Sequence, residues 1–160
     1  MGKKLVAYFS ATGNTADAAK KIAEAAGADL YEIKPEQPYT EADLDWNNQS
    51  SRTSLEMNMR AIHPPITDTF ANVKDYDVIF LGFPIWWYTA PTIINTFLES
   101  YDFSNKKIIL FVTSGSTGFD KVMHDLEVSL NSSTEVVKGI AVHERRSAEE
   151  WKSWVDGLEL

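Results

Sequence analysis

Short, unbroken apolar runs alternate along this chain with stretches whose apolar residues recur at three- and four-residue spacing. Buried strands alternating with amphipathic helices predict βαβ units around a parallel sheet. Lys4–Phe9 predicts a first strand. Thr15–Ala26, rich in alanine with Ile22 and Ala26 on one stripe, predicts a helix closed by Gly27. Asp29–Ile33 predicts a short second strand, and Val78–Phe83, apolar throughout, a third strand buried on both faces. Pro91–Tyr101 predicts a helix with Ile94, Phe97, Leu98 and Tyr101 inward, and Lys107–Thr113 a fourth strand. Phe119–Leu130 predicts another helix, Glu135–Val142 the fifth strand, and Ala148–Leu158 a closing helix that packs Trp151 and Trp154 on one face. Strands and helices in this order imply an α/β three-layer sandwich with a five-stranded parallel sheet, spanning residues 1–160 as one domain.

The stretch Lys34–Asp75 breaks the pattern. Its helical periodicity is weak, Arg52 and Glu56 can pair one turn apart where it is helical, and Pro64 and Pro65 end whatever precedes them. An elaborated surface excursion between strands two and three is expected, rather than a second domain.

Composition narrows the chemistry. Over 160 residues the net charge is −8, which argues against a nucleic-acid partner, since phosphate backbones need clustered Lys and Arg. The apolar fraction is 44%, enough for a sizeable core. No cysteine is present, so disulfides, thiolate metal sites and cysteine nucleophiles are excluded. His63, His124 and His143 are scattered without metal-ligand spacing, and His143–Arg146 reads as a short solvated turn. The amino-terminal apolar run is too short for a signal peptide and no segment approaches a membrane span, so a cytoplasmic location is expected.

In a parallel sheet of this kind ligands sit beyond the carboxyl ends of the strands, which directs attention to the loops after strands one, three and four. The first reads "SATGNT", Ser10, Ala11, Thr12, Gly13, Asn14 and Thr15. Its glycine permits positive φ, the amides opening the next helix are unpaired, and hydroxyl and amide side chains can donate to an anion. The plainer alternative is a helix N-cap by Thr12 or Asn14, which would not need four such side chains. Neither the lysine nor the spacing of a Walker loop is present.

The second loop, "FPIWWYTAP", places Pro84, Ile85, Trp86, Trp87 and Tyr88 at a strand end, where large aromatics can stack on a flat ring or form a packed hydrophobic corner or partner patch. The third, "TSGSTGFD", frees its backbone with Gly115 and Gly118 and offers Ser114, Ser116 and Thr117 to the polar edge of a heterocycle, or else makes a plain strand-to-helix turn. It is not a nucleophile elbow. A phosphate, a flat ring and a polar ring edge together describe FMN.

These motifs resemble those of the flavodoxin family. "YFSATGNT" is similar to the family's phosphate-loop signature, [ST]-x-T-G-x-T after a strand, and the resemblance spans nearly the whole chain. The wording "FPIWWYTAP" resembles a bacterial subgroup of small flavodoxin-like proteins. The resemblance implies strand order 2-1-3-4-5 and non-covalent FMN. Ser10, Thr12, Gly13, Asn14 and Thr15 would hold the phosphate. Pro84, Ile85, Trp86 and Trp87 would line the isoalloxazine, with one tryptophan stacked on it, and Ser114, Gly115 and Ser116 would meet its pyrimidine edge. Many flavodoxins stack a tyrosine of the third loop on the outer flavin face; here Phe119 is the only aromatic nearby, which leaves that face more open.

The expected activity is electron transfer at low potential, with an acidic, partly dry site disfavouring the anionic reduced flavin. An acidic surface favours a redox partner with a basic surface, or an NAD(P)H-dependent reductase, at rates that fall with salt. The alternatives are an FMN-dependent NAD(P)H:quinone-type oxidoreductase, which the open face favours, and a non-redox module that binds protein through Trp86–Tyr88. Oligomeric state is not set by the sequence.

Overall fold

The computed structural model describes residues 3–11, 13–60, 62–67, 71–113, 119–142, 146–158 and 160. Five strands, β1 (Lys3–Tyr8), β2 (Asp29–Glu32), β3 (Tyr76–Pro84), β4 (Lys107–Thr113) and β5 (Glu135–Val142), form one parallel sheet in the order β2-β1-β3-β4-β5. The helices are α1 (Asn14–Ala26), α2 (Arg52–Asn58), α3 (Thr92–Glu99), α4 (Asp120–Glu127) and α5 (Ala148–Gly157). The order reverses between β1 and β3, so their carboxyl ends bound a crevice.

Alternate residues of each central strand feed opposite layers, as a pleated backbone requires. Leu5, Ala7, Ile79, Leu81, Phe83, Leu110 and Val112 join Ile93, Phe97, Val122 and Leu126 of α3 and α4 in one core. Val6, Tyr8, Phe80, Ile109 and Phe111 join Ala18, Ala19 and Ile22 of α1 and Trp151 of α5 in the other. Burying both faces explains why these strands read as continuous apolar runs. Trp151 is fully buried and meets Trp154 edge to face at 5.8 Å, so both tryptophans of α5 serve packing as expected. The helix opens on a reciprocal cap: Glu150 N–H donates to Ser147 Oγ and Ser147 N–H to Glu150 Oε1.

α1 begins one residue before the predicted bound, at Asn14, while α3, α4 and α5 fall inside theirs. α3 stops at Glu99 because Ser100 N–H turns to Phe97 O and its hydroxyl takes the Thr96 carbonyl at 2.7 Å. α4 starts at Asp120 and stops at Glu127, where Ser129 and Leu130 donate to carbonyls three residues back and tighten the chain. β3 runs to Pro84, beyond the predicted end, because Pro84 still pairs with Thr113 and needs no donor there.

The excursion between β2 and β3 leaves and returns at one neck. Pro35 pairs with Ile66, Glu36 N–H donates to Pro65 O and Thr67 N–H to Lys34 O. Inside it lies α2, capped by Ser51, with Arg52 Nε 3.0 Å from Glu56 Oε2, the pair anticipated one turn apart. Tyr39 and Ile66 pack against the same core as α3 and α4.

Candidate functional site

β1 ends beside β3: Phe9 N–H donates to Gly82 O. The chain then turns through Ser10 and Ala11 into α1. Gly13, at φ 97°, is the residue that opens the helix, and no side chain of the described residues caps it. A cap by Asn14 is therefore not what the helix uses, and Thr12 lies outside the described residues. Instead Gly13 N–H donates to Ser10 Oγ at 3.0 Å, which folds the loop back and leaves the serine proton available. Gly13 is exposed, and among the described residues no atom beyond its chain neighbours and its own helix backbone comes within 4 Å of where its side chain would begin. Asn14 is exposed, whereas Thr15 is buried, its hydroxyl 2.7 Å from that of Thr113 at the end of β4.

The second loop makes a tight two-residue reversal. Trp86 N–H donates to Thr89 O and Thr89 N–H to Trp86 O, while Trp87 and Tyr88 sit at φ 50° and 67°. Positive φ at both central positions defines a turn of the I′ kind, which ordinarily selects Asn-Gly. Two bulky aromatics there cost roughly 1 to 3 kcal/mol each, and such strain persists only where surroundings over-determine it.

Trp86 is held edge to face by Phe9 (5.5 Å) and Tyr39 (5.4 Å), which also meet each other at 5.6 Å. Tyr39 belongs to the excursion. Its hydroxyl donates to Glu56 Oε1 at 2.6 Å, and the Arg52 guanidinium lies 3.9 Å above its ring. Burial, then the Glu56 carboxylate, push the Tyr39 phenol far above its ordinary range, so it stays a donor. No ring among the described residues packs on Trp87 or Tyr88; Trp87 is half-buried and Tyr88 is 71% exposed.

Behind the turn lies a polar cluster that no local pattern announces. Thr89 Oγ1 donates to Asp125 Oδ2 at 2.6 Å, Lys121 Nζ lies 3.2 Å from that oxygen, and Arg60 Nη1 donates to Ala90 O at 3.1 Å. Asn95 Nδ2 reaches the Asp125 carbonyl and Ser129 Oγ. Burial alone would raise the Asp125 carboxyl; the Thr89 hydroxyl, Lys121 and Arg60 outweigh it and hold it below the ordinary carboxylate range.

The fold thus brings Ser10, Ala11, Gly13, Asn14, Thr15, Pro84, Ile85, Trp86 and Trp87 to adjacent strand ends. Thr12, Ser114, Gly115, Ser116 and Gly118, with Thr117, lie outside the described residues, so the third loop is represented only by its flanks, Thr113 and Phe119. Sequence reasoning missed Thr113, Tyr39, Thr89 and Asp125. Thr113 had a signal, a hydroxyl closing an apolar strand; the other three had none, because their roles depend on contacts 30 or more residues away for Thr89 and across the excursion for Tyr39. His63 pairs with Glu99 at 2.7 Å, and no metal-binding group of acidic and histidine side chains occurs among the described residues. No helix among them is long and apolar enough to cross a membrane.

A helix opening on glycine at the switch point of a 2-1-3-4-5 sheet is the layout of flavodoxin-like proteins. The family model described as Flavodoxin matches residues 3–158, and the chain belongs to the flavodoxin family. A protein of Bacteroides uniformis classed as a flavoprotein is 45% identical, with a TM-score of 0.89, over 97% of this chain and 98% of its own. One from Bacteroides eggerthii, classed likewise, is 42% identical with a TM-score of 0.88, over 100% and 99%. A flavoprotein of Lactobacillus acidophilus, solved in complex with FMN, shares the fold at 23% identity and a TM-score of 0.70, over 94% and 99%. No curated protein matches the chain.

Proposed function

We propose that this chain binds FMN without a covalent bond and carries electrons at low potential between redox partners. The observation that carries the reading is the opening of α1 on an exposed Gly13, uncapped by any side chain of the described residues, beside the aromatic turn of the next strand in the sheet. Amides and a helix dipole at that end suit a phosphate, with Ser10, Thr12, Asn14 and Thr15 as further donors. The single hydrogen bond between the Thr15 and Thr113 hydroxyls spends only one of their two protons, so the other can serve a ligand.

The two tryptophans take different parts. Trp86, gripped by Phe9 and Tyr39, is the wall at the start of the turn; Trp87, which has no ring partner among the described residues, is the stacking surface for the isoalloxazine. Ser114, Gly115, Ser116 and Gly118 would meet the ring's polar edge. FMN supplies the one- and two-electron chemistry when bound, and the residues bind, orient and shield it. The net charge of −8 favours a partner with a basic surface.

The deciding experiment is an anaerobic visible spectrum of the purified protein before and after NADPH. A flavin spectrum that NADPH leaves unchanged is expected for the carrier. Rapid bleaching would replace the carrier with a reductase, and failure to take up added FMN would refute the cofactor assignment.

A further inference from the structure

The Trp86–Thr89 turn has no local reason to keep its shape. Trp87 and Tyr88 occupy positive φ without glycine or asparagine at either position, and the Tyr88 side chain is largely in solvent. Its own two backbone hydrogen bonds close the turn but would equally close one built from glycine. What distinguishes this turn is its carboxyl end. Thr89 is 2% exposed, and its hydroxyl donates at 2.6 Å to Oδ2 of Asp125, which lies in α4, 36 residues later. The next residue, Ala90, gives its carbonyl to Arg60 from the excursion. Asp125 is itself fixed: Lys121 and Arg60 lie 3.2 and 4.0 Å from the same oxygen, and Asn95 of α3 holds its backbone carbonyl. A charged acceptor held on several sides is a rigid anchor, and hydrogen bonds to ionised groups are the strong ones.

We propose that Asp125 is a positioning residue: through Thr89 Oγ1 it holds the Trp86–Thr89 turn in its positive-φ form, and so sets how tightly the chain takes the flavin. The second half rests on the FMN reading above; the first does not. Asp125 touches no cofactor and acts only through the turn. Without the anchor, Trp87 and Tyr88 relax toward negative φ, the stacking surface loses its orientation, and binding must first rebuild it.

The test separates the two halves. In the flavin-free full chain, backbone three-bond couplings and carbon shifts of residues 87 and 88 report φ by NMR. The positive-φ signature is expected in the wild type and in Thr89→Ser, which keeps the hydroxyl. It is expected to be lost in Asp125→Asn and in Thr89→Val, with the double variant no worse than either single one. Thr89→Val leaves Asp125 with Lys121 and Arg60, so it serves should Asp125→Asn fail to fold. Adding Tyr88→Gly restores the signature in the Asp125→Asn background, because glycine sits at positive φ without strain; a merely structural role for Asp125 in α4 would not be rescued this way. In FMN titrations, Asp125→Asn is expected to raise Kd about tenfold in the native turn but less than about threefold beside Tyr88→Gly. Unchanged couplings in both Asp125→Asn and Thr89→Val would overturn the anchor, as would an equal loss of FMN affinity in both backgrounds. Wild-type protein that takes no FMN would refute the cofactor reading, while the couplings still decide the anchor.

Discussion

Thr15, in the first turn of α1, and Thr113, the last residue of β4, place their hydroxyl oxygens 2.7 Å apart, and both side chains are buried. Thr113 O also accepts the N–H of Ile85, the residue that leads into the aromatic turn. Thr113 therefore ties the end of β4 to the loop after β1 and the loop after β3.

Thr15→Val alone leaves the Thr113 hydroxyl buried without its partner and is expected to cost about 1 to 3 kcal/mol. Thr15→Val with Thr113→Val replaces both partners by groups of the same shape and should recover most of that loss. Urea unfolding of the two single variants and the double variant measures the coupling. Titration with FMN and with riboflavin then isolates the phosphate contribution. A loss confined to FMN is expected when Thr12→Val is added, and equal losses for both ligands would remove these threonines from the phosphate site.

The excursion is expected to matter to the site through one ring. Tyr39→Ala removes the edge-to-face contacts with Phe9 and Trp86 and leaves Arg52 and Glu56 without the phenol between them. A stability loss of about 2 kcal/mol is expected, by analogy with buried aromatic truncations discounted for partial exposure. Tryptophan emission should shift to the red as Trp86 meets water, and FMN affinity should fall. Tyr39→Phe keeps the ring and should retain the emission. Affinity unchanged in Tyr39→Ala would show that the excursion does not support the site.

Much of this was legible in the sequence because it depends on local pattern. Five apolar runs and the spacing of Ile22, Phe97 and Trp151 specify strands, helices and their buried faces, and "SATGNT" marks the turn that leads from the first strand into the first helix. The roles of individual side chains within the site were less legible. Thr15 reads as a ligand donor yet is partly committed to Thr113, and the adjacent Trp86 and Trp87 read alike yet differ in packing. The polar anchor behind the turn was invisible, since Thr89, Asp125 and Arg60 meet only after three elements have packed. A positive φ at Trp87 and Tyr88 runs against local preference, and tertiary contacts override it.

Gly82 sits within β3 directly opposite Phe111 of β4. A methyl group added there would run into the Phe111 ring, which is fully buried. Gly82→Ala is therefore expected to destabilise the fold by about 1 to 3 kcal/mol, the usual cost of overpacking a core. Combining it with Phe111→Leu should return part of the loss, because the smaller side chain yields the space. Thermal unfolding of the three variants checks the non-additivity, and a Gly82→Ala chain as stable as wild type would contradict the packing.

The edge strand β2 is held to the sheet by a side-chain bond as well as its ladder: the Tyr76 hydroxyl donates to Asp29 Oδ2 at 2.7 Å. That bond, with burial and the Asp29 and Asp75 charges adding to it, pushes the Tyr76 phenol up to about 12 from an ordinary 10.0. A raised value means the fold favours the neutral phenol. Its stabilising contribution is complete below pH 10.0 and drains away as pH rises toward about 12, where the unfolded chain has already lost the proton that the folded one retains. Tyr76→Phe removes both the bond and this dependence. Near neutral pH the variant should be less stable than wild type, and the gap should narrow steadily above pH 10.0. Urea midpoints of the two proteins at a series of alkaline pH values measure it. A gap that stays constant would mean that Tyr76 titrates alike in both states and that the Asp29 bond does not hold the edge strand.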